Sequence, residues 1–180
     1  MILLSPTPIL TTERLTLRAP KGSDWPAWRA FMASDRLRFV RPDDFDDAAS
    51  WRAFGHAIGH WAMRGWGMFV FTARDDDTPL GMAGPWFPEG WPEREIGWSL
   101  WPPEAEGKGL AAEAAGAARA HAFGALGWTT AVSYVDPGNA RSIALAERMG
   151  AIRDDAAPVP HSDRPCLVYR HSAAHAKGAA

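Results

Sequence analysis

The sequence predicts a mixed three-layer α/β domain, and three observations carry the prediction. Short segments with apolar residues at every second position recur along the chain, as half-buried strands require. Longer segments between them carry apolar residues three and four apart, the spacing of a helix face. The two kinds follow one another as strand, helix, helix, three strands, helix, strand, helix and strand, with room for an extra strand between Ala151 and Val159.

The first strand is expected from Arg14 to Ala19, where Leu15, Leu17 and Ala19 alternate with Arg14, Thr16 and Arg18. A helix follows, with Ser23 as its cap, Pro26 in its first turn and Trp28, Phe31 and Met32 on one face. After a loop from Arg36 to Asp46 comes a second helix, Asp47 to Arg64, with Trp51, Phe54, Ile58, Trp61 and Ala62 at helical spacing. Its opposite side carries Arg52, His56, His60 and Arg64. Histidines four apart can bind a metal, but no acidic third ligand accompanies these and two arginines flank them. A solvated or substrate-facing stripe is expected there, and no metal.

Strands at Met68 to Ala73 and Leu80 to Ala83 are joined by the acidic turn Asp75-Asp76-Asp77-Thr78-Pro79. Trp86 to Pro92 reads as a rigid aromatic loop. Glu95 to Trp101 alternates as a strand, which Pro102-Pro103 ends. The next helix, about Leu110 to Ala125, is rich in alanine, so its backbone can lie close to a sheet; Gly116 and Gly124 each weaken it by ~1 kcal/mol relative to alanine. Gly127 ends it, Thr129 to Val135 is a strand, Asp136-Pro137-Gly138 a turn, Asn139 the cap of the last helix and Gly150 its stop. Cys166 to Arg170 forms the final strand.

At 180 residues the chain suits one domain, expected over 1–171, with 172–180 as a loose tail. Nineteen Lys and Arg against 21 Asp and Glu give a net charge of −2, which indicates no whole-molecule attraction to nucleic acid. The single cysteine, Cys166, cannot form an intrachain disulfide and reads as a small core residue. Met1-Ile2-Leu3-Leu4 is too short for a signal peptide or membrane span, so a cytoplasmic protein without membrane attachment is expected. Ten tryptophans are many for this length, and Trp66, Trp86 and Trp91, beside proline or glycine, hint at an aromatic-lined pocket.

The stretch Glu104 to Ala114 joins a strand to a helix through a glycine-rich turn carrying Lys108. Glycines let the backbone approach a ligand, and the first helical N–H groups and the helix dipole favour an anion there. The donors are the N–H groups of Gly107, Lys108, Gly109, Leu110, Ala111 and Ala112. Gly107-x-Gly109-x-x-Ala112 also satisfies a dinucleotide fingerprint, with Asp136 as the ribose-binding acid, which makes an NAD-binding protein the competing reading. Against it, Pro102 to Glu106 separates strand from glycine and Asp136 comes late.

The run Glu106-Gly107-Lys108-Gly109-Leu110-Ala111 resembles the pyrophosphate motif Gln/Arg-x-x-Gly-x-Gly/Ala of the GCN5-related N-acetyltransferase (GNAT) superfamily. Glu106 departs from the usual Gln or Arg, and a carboxylate there would disfavour phosphates unless it turned to solvent. Gly-Lys-Gly-Leu-Ala-Ala-Glu-Ala resembles the Rim-type branch, the ribosomal-protein alanine N-acetyltransferases and their relatives. So do Leu10 to Arg18, Glu95-Ile96-Gly97-Trp98, and Asn139-Ala140-Arg141-Ser142-Ile143 followed by Met149-Gly150-Ala151.

The resemblance implies a mostly antiparallel sheet of six or seven strands, helices on both faces, and fourth and fifth strands splayed around acetyl-CoA. It implies acetyl transfer to a primary amine, a peptide or protein α-amino group or a small-molecule amine, by direct attack in a ternary complex. Backbone groups of Trp98, Ser99 and Leu100 would hold the thioester, and Asn139 would contact the pantetheine arm. The usual tyrosine acid is absent, its place being taken by Ala146, and Ser142 matches the serine proposed to replace it. Glu95 at the head of a buried strand is the candidate general base, against a structural carboxylate paired with Arg94 or another cation. Glu113 is expected to make a structural hydrogen bond. A non-catalytic acyl-CoA-binding domain is the alternative that Glu106 and the missing tyrosine suggest. A homodimer is compatible with the sequence, although no feature of it marks one.

Overall fold

A computed structural model describes residues 6–39, 46–161 and 163–172. The strands are β1 (Leu10–Thr11), β2 (Leu15–Arg18), β3 (Phe69–Ala73), β4 (Pro79–Trp86), β5 (Glu95–Leu100), β6 (Thr130–Val135), β7 (Ile152–Arg153) and β8 (Leu167–Ser172). The helices are α1 (Trp25–Met32), α2 (Asp47–Arg64), α3 (Leu110–Gly124) and α4 (Ala140–Arg148). One sheet of eight strands runs β1-β2-β3-β4-β5-β6-β8-β7, and β5 with β6 is its parallel pair. The two strands beyond the expected six are the two-residue β1 and β7, the latter inside the window left open for it.

Alternation along β3 divides the core. Phe69 and Phe71 join Leu15, Leu17 and the α3 alanines Ala114, Ala115 and Ala118 on one face. Val70 joins Trp28, Phe31, Phe54, Met82 and Trp101 under α1 and α2 on the other. Apart from Arg119, the buried residues of α3 are alanines, so the helix lies close to the sheet and its first turn is held at the end of β5.

The sheet opens between β5 and β6, which share a single bridge, Glu95 with Val132. Val132 N–H donates to the Arg94 carbonyl at 2.9 Å. A regular parallel ladder would next join Tyr134 N–H to the Ile96 carbonyl. Two side chains take that rung instead. The Ser133 hydroxyl donates to the Ile96 carbonyl at 2.6 Å, and Tyr134 N–H turns to the Glu95 carboxylate. Beyond this point the strands part. This mostly antiparallel sheet is not that of a doubly wound dinucleotide fold, so the NAD reading is set aside.

Several local expectations are corrected. Ser23 does not cap α1; a short 3₁₀ turn, Gly22–Asp24, precedes the helix. Asp24 there binds Arg18 through two 2.8 Å contacts and the Lys21 N–H at 2.9 Å. Trp51 and Ala62 of α2 are exposed. His60 is buried rather than part of a solvated stripe: its Nδ1 lies 2.8 Å from the Trp66 carbonyl and its Nε2 accepts the Phe87 N–H at 3.1 Å. Because β4 runs on to Trp86, the aromatic loop is shorter than expected. Cys166 is half-buried at the edge of a cleft, not in the core. Ser172, expected in the loose tail, ends β8; the apolar start Met1–Leu4, residues 40–45 of the loop before α2, and the rest of the expected tail, 173–180, lie outside the described residues.

Candidate active site

The turn after β5 takes its shape from glycine. Gly107 and Gly109 have φ of 73° and 75°, a left-handed conformation that side chains oppose. Gly109 is the N-cap of α3, so the N–H groups of Leu110, Ala111 and Ala112 have no intrahelical acceptor. The first strands brace this turn. Arg14 donates to the Lys108 carbonyl at 2.9 Å and, through Nε, to Glu113 at 2.6 Å, while Thr12 donates to Glu113 at 2.5 Å. Glu113 therefore makes the structural bonds expected of it; partial burial alone would push its carboxyl up, but the Thr12 and Arg14 bonds outweigh this and hold it low. Lys108 projects to solvent.

The open edge of β5 faces the gap. Trp101 N–H donates to the Leu80 carbonyl at 2.9 Å, and ladder alternation then gives the Ser99 backbone to β4 and turns those of Trp98 and Leu100 toward β6. Of the three groups expected to line the groove, Trp98 and Leu100 do so through the backbone. Ser99 offers its hydroxyl, which accepts from the Trp101 indole at 3.0 Å.

On the α3 and α4 side stand Asn139 and Ser142. Asn139 caps α4 by accepting the Ser142 N–H at 3.1 Å. The Trp98 indole donates to the Ser142 hydroxyl at 3.2 Å, an arrangement that leaves the serine proton free to be given elsewhere.

A cleft of about 310 Å³ reaches from Asn139 and Ser142 to the space under α1 and α2, where Trp28, Trp86, Trp91, Met82 and Tyr134 wall it with Glu95 among them. Trp86 and Trp91 fulfil the hint of an aromatic pocket, whereas Trp66 packs edge-on against Trp128 at 5.1 Å. Glu95 makes no pair with Arg94, whose guanidinium lies 5.4 Å from the Trp128 ring. Its carboxylate accepts instead from the Trp91 indole at 2.8 Å and from Tyr134 N–H. Desolvation outweighs both bonds and pushes its pKa up to about 7. Burial, with Glu93 and Glu95 nearby, also pushes the Tyr134 phenol up, so it stays neutral.

Behind the gap, His171 is fully buried, its Nε2 lying 2.9 Å from the Ser133 hydroxyl. Burial and then Arg119 pull its pKa down to about 3. Since Ser133 donates to Ile96, the neutral imidazole must donate to Ser133, which fixes the hydroxyl that holds the strands at their parting. Ser133, Tyr134 and His171 were not singled out by the sequence, and Trp91 was read only as a pocket wall, not as a partner of Glu95. No spacing marks them, because loop, β6 and β8 meet only in the folded sheet.

The arrangement fits acetyl-CoA: a backbone anion cradle, a gap between strands with unpaired peptide groups, and a cleft beyond it. These are features that an acyl-CoA-dependent transferase requires. The chain belongs to the acetyltransferase (GNAT) domain family, whose model matches residues 14–152. It is 41% identical to the acetyltransferase from Agrobacterium tumefaciens str. C58, over 95% of this chain and 98% of that one, with a TM-score of 0.85. It shares its fold with Mycobacterium smegmatis RimJ in complex with CoA-disulfide, at 20% identity, 95% and 90% coverage and TM-score 0.71. The ribosomal-protein-S5-alanine acetyltransferase from Vibrio fischeri also has this fold, at 15% identity, 92% and 97% coverage and TM-score 0.67. As a member of this family the chain is an acyltransferase.

Proposed function

We propose that the protein transfers the acetyl group of acetyl-CoA to a primary amine by direct attack within a ternary complex. The observation that carries this reading is the Glu95 carboxyl, set where β5 and β6 part, desolvated and without a salt bridge among the described residues. Bound acetyl-CoA supplies an activated thioester. The Gly107–Ala112 turn binds its pyrophosphate, the Asn139 side of α4 flanks the pantetheine arm, and the Trp98 and Leu100 backbones orient the thioester.

The acceptor enters the aromatic cleft beside Glu95. A carboxylate titrating near 7 is matched to taking a proton from an attacking amine at neutral pH. As the C–N bond forms and the C–S bond breaks, Glu95 takes the amine proton, directly or through water, and Ser142 donates to the leaving sulfur. The sulfur needs little help, since a thiol of pKa about 8.5 leaves readily. RimJ in complex with CoA-disulfide, a protein of the same fold, supports CoA as the ligand of the groove.

The test is thiol release from acetyl-CoA with a panel of primary amines, including peptides with free α-amino groups. Release with at least one amine, and mass gain of that amine by one acetyl group, is expected. Binding of acetyl-CoA with no transfer to any of them would replace this reading with a binding domain.

A further inference from the structure

Glu106 occupies the place where the family motif has Gln or Arg, and it does not turn to solvent. One of its oxygens, Oε1, receives two guanidiniums: Arg36, from a 3₁₀ turn at Asp35–Phe39, and Arg141, from the first turn of α4, the latter at 2.6 Å. Arg36 also donates to the Leu100 carbonyl at 3.0 Å, at the mouth of the groove. Its Nε is buried and has no partner among the described residues. The Glu106–Arg141 pair joins the β5 wall of the groove to the α4 wall, directly before Gly107. Two cations on one carboxylate leave a positive charge over, and the donors are those of a planar fork suited to phosphate.

We propose that Arg36 and Arg141 are ligands of the acetyl-CoA pyrophosphate, with Glu106 as the positioning residue that holds both beside the glycine turn. The phosphate charge is thus met by arginines from two other elements rather than by the turn's own first residue. Glu106 cancels one of the two guanidinium charges, and its pairing still leaves the turn cationic. The inference rests on the proposed binding of acetyl-CoA at this turn.

Calorimetric titration of the full chain with CoA and with 3′-dephospho-CoA, which keeps the pyrophosphate, tests it. Arg141 is 80% exposed, so Arg141→Gln is expected to fold, with an unchanged melting temperature as the check. Arg36→Gln is the second variant, and Arg74→Gln, an exposed arginine beyond β3, is the control. Each of the first two is expected to weaken both ligands about tenfold, the cost of a lost charged hydrogen bond, while the control binds as the native protein does. Native affinity for both ligands in Arg141→Gln and Arg36→Gln would overturn the inference. So would weakening of CoA alone, which would move the arginines to the 3′-phosphate. If the native protein itself binds neither ligand, the proposed function fails as well.

Discussion

The two ends of the groove are built from opposite materials. The turn at Gly107 to Ala112 works through backbone N–H groups, small residues and surrounding cations in an exposed place. The cleft at Glu95 works through side chains, many of them aromatic or sulfur-bearing, around one desolvated carboxyl. On the proposed function, the difference follows from the ligands. A pyrophosphate is one fixed shape with fixed charge, which a helix N-terminus can bind whatever side chains decorate it. An amine must lose a proton inside the protein, and only a group whose pKa is moved by its surroundings can take it near neutral pH.

That contrast can be broken most severely at Glu95. Glu95→Gln keeps the shape and the capacity to accept hydrogen bonds but removes the base, so kcat/KM is expected to fall about 100-fold while calorimetry finds acetyl-CoA affinity unchanged. At the other end, Gly109→Ala places a side chain in a left-handed conformation with no close neighbour, the nearest being Arg14 at 3.6 Å. The cost is conformational, on the order of 1–2 kcal/mol, and should weaken acetyl-CoA binding about tenfold without changing kcat at saturation. Ser142→Ala removes the donor to the sulfur; because the thiolate leaves readily, kcat should fall only ~5-fold, with Ser142→Thr retaining most of it. A comparable fall in cofactor affinity instead would assign Ser142 to binding.

The smallest effect concerns stability. Folding raises the Glu95 pKa from 4.5 to about 7, so the folded state favours its protonated form. The resulting stabilisation is full below pH 4.5 and lost as pH rises through about 7. Glu95→Gln should therefore gain on the native protein in urea midpoint between those values and hold its advantage above them. A constant difference across the range would mean that burial does not govern this carboxyl.

The same contrast explains what the sequence could reveal. The turn is local, so Gly107, Gly109 and the alanines of α3 were legible as a motif, and α2 was placed from periodicity over its full length, Asp47–Arg64. Glu106 was legible only as an anomaly, because its partners Arg36 and Arg141 lie 70 and 35 residues away. The cleft was harder still. Glu95 was found at the head of its strand, but Trp91, Tyr134 and the Ser133–His171 pair come together through β6 and β8, and neither period nor spacing records that. His60 misled for a related reason: its place on the polar side of α2 gave no sign of the Trp66 and Phe87 backbone groups that bury it.

The most direct test of the account is the pH dependence of kcat/KM, measured with saturating acetyl-CoA and the best amine of the panel, for the native protein and Glu95→Gln. The account predicts an inflection near 7 in the native profile, with activity rising as Glu95 loses its proton, and no such inflection in the variant. The same inflection in both proteins would show that another group takes the amine proton and that the two-ended division of labour is wrong.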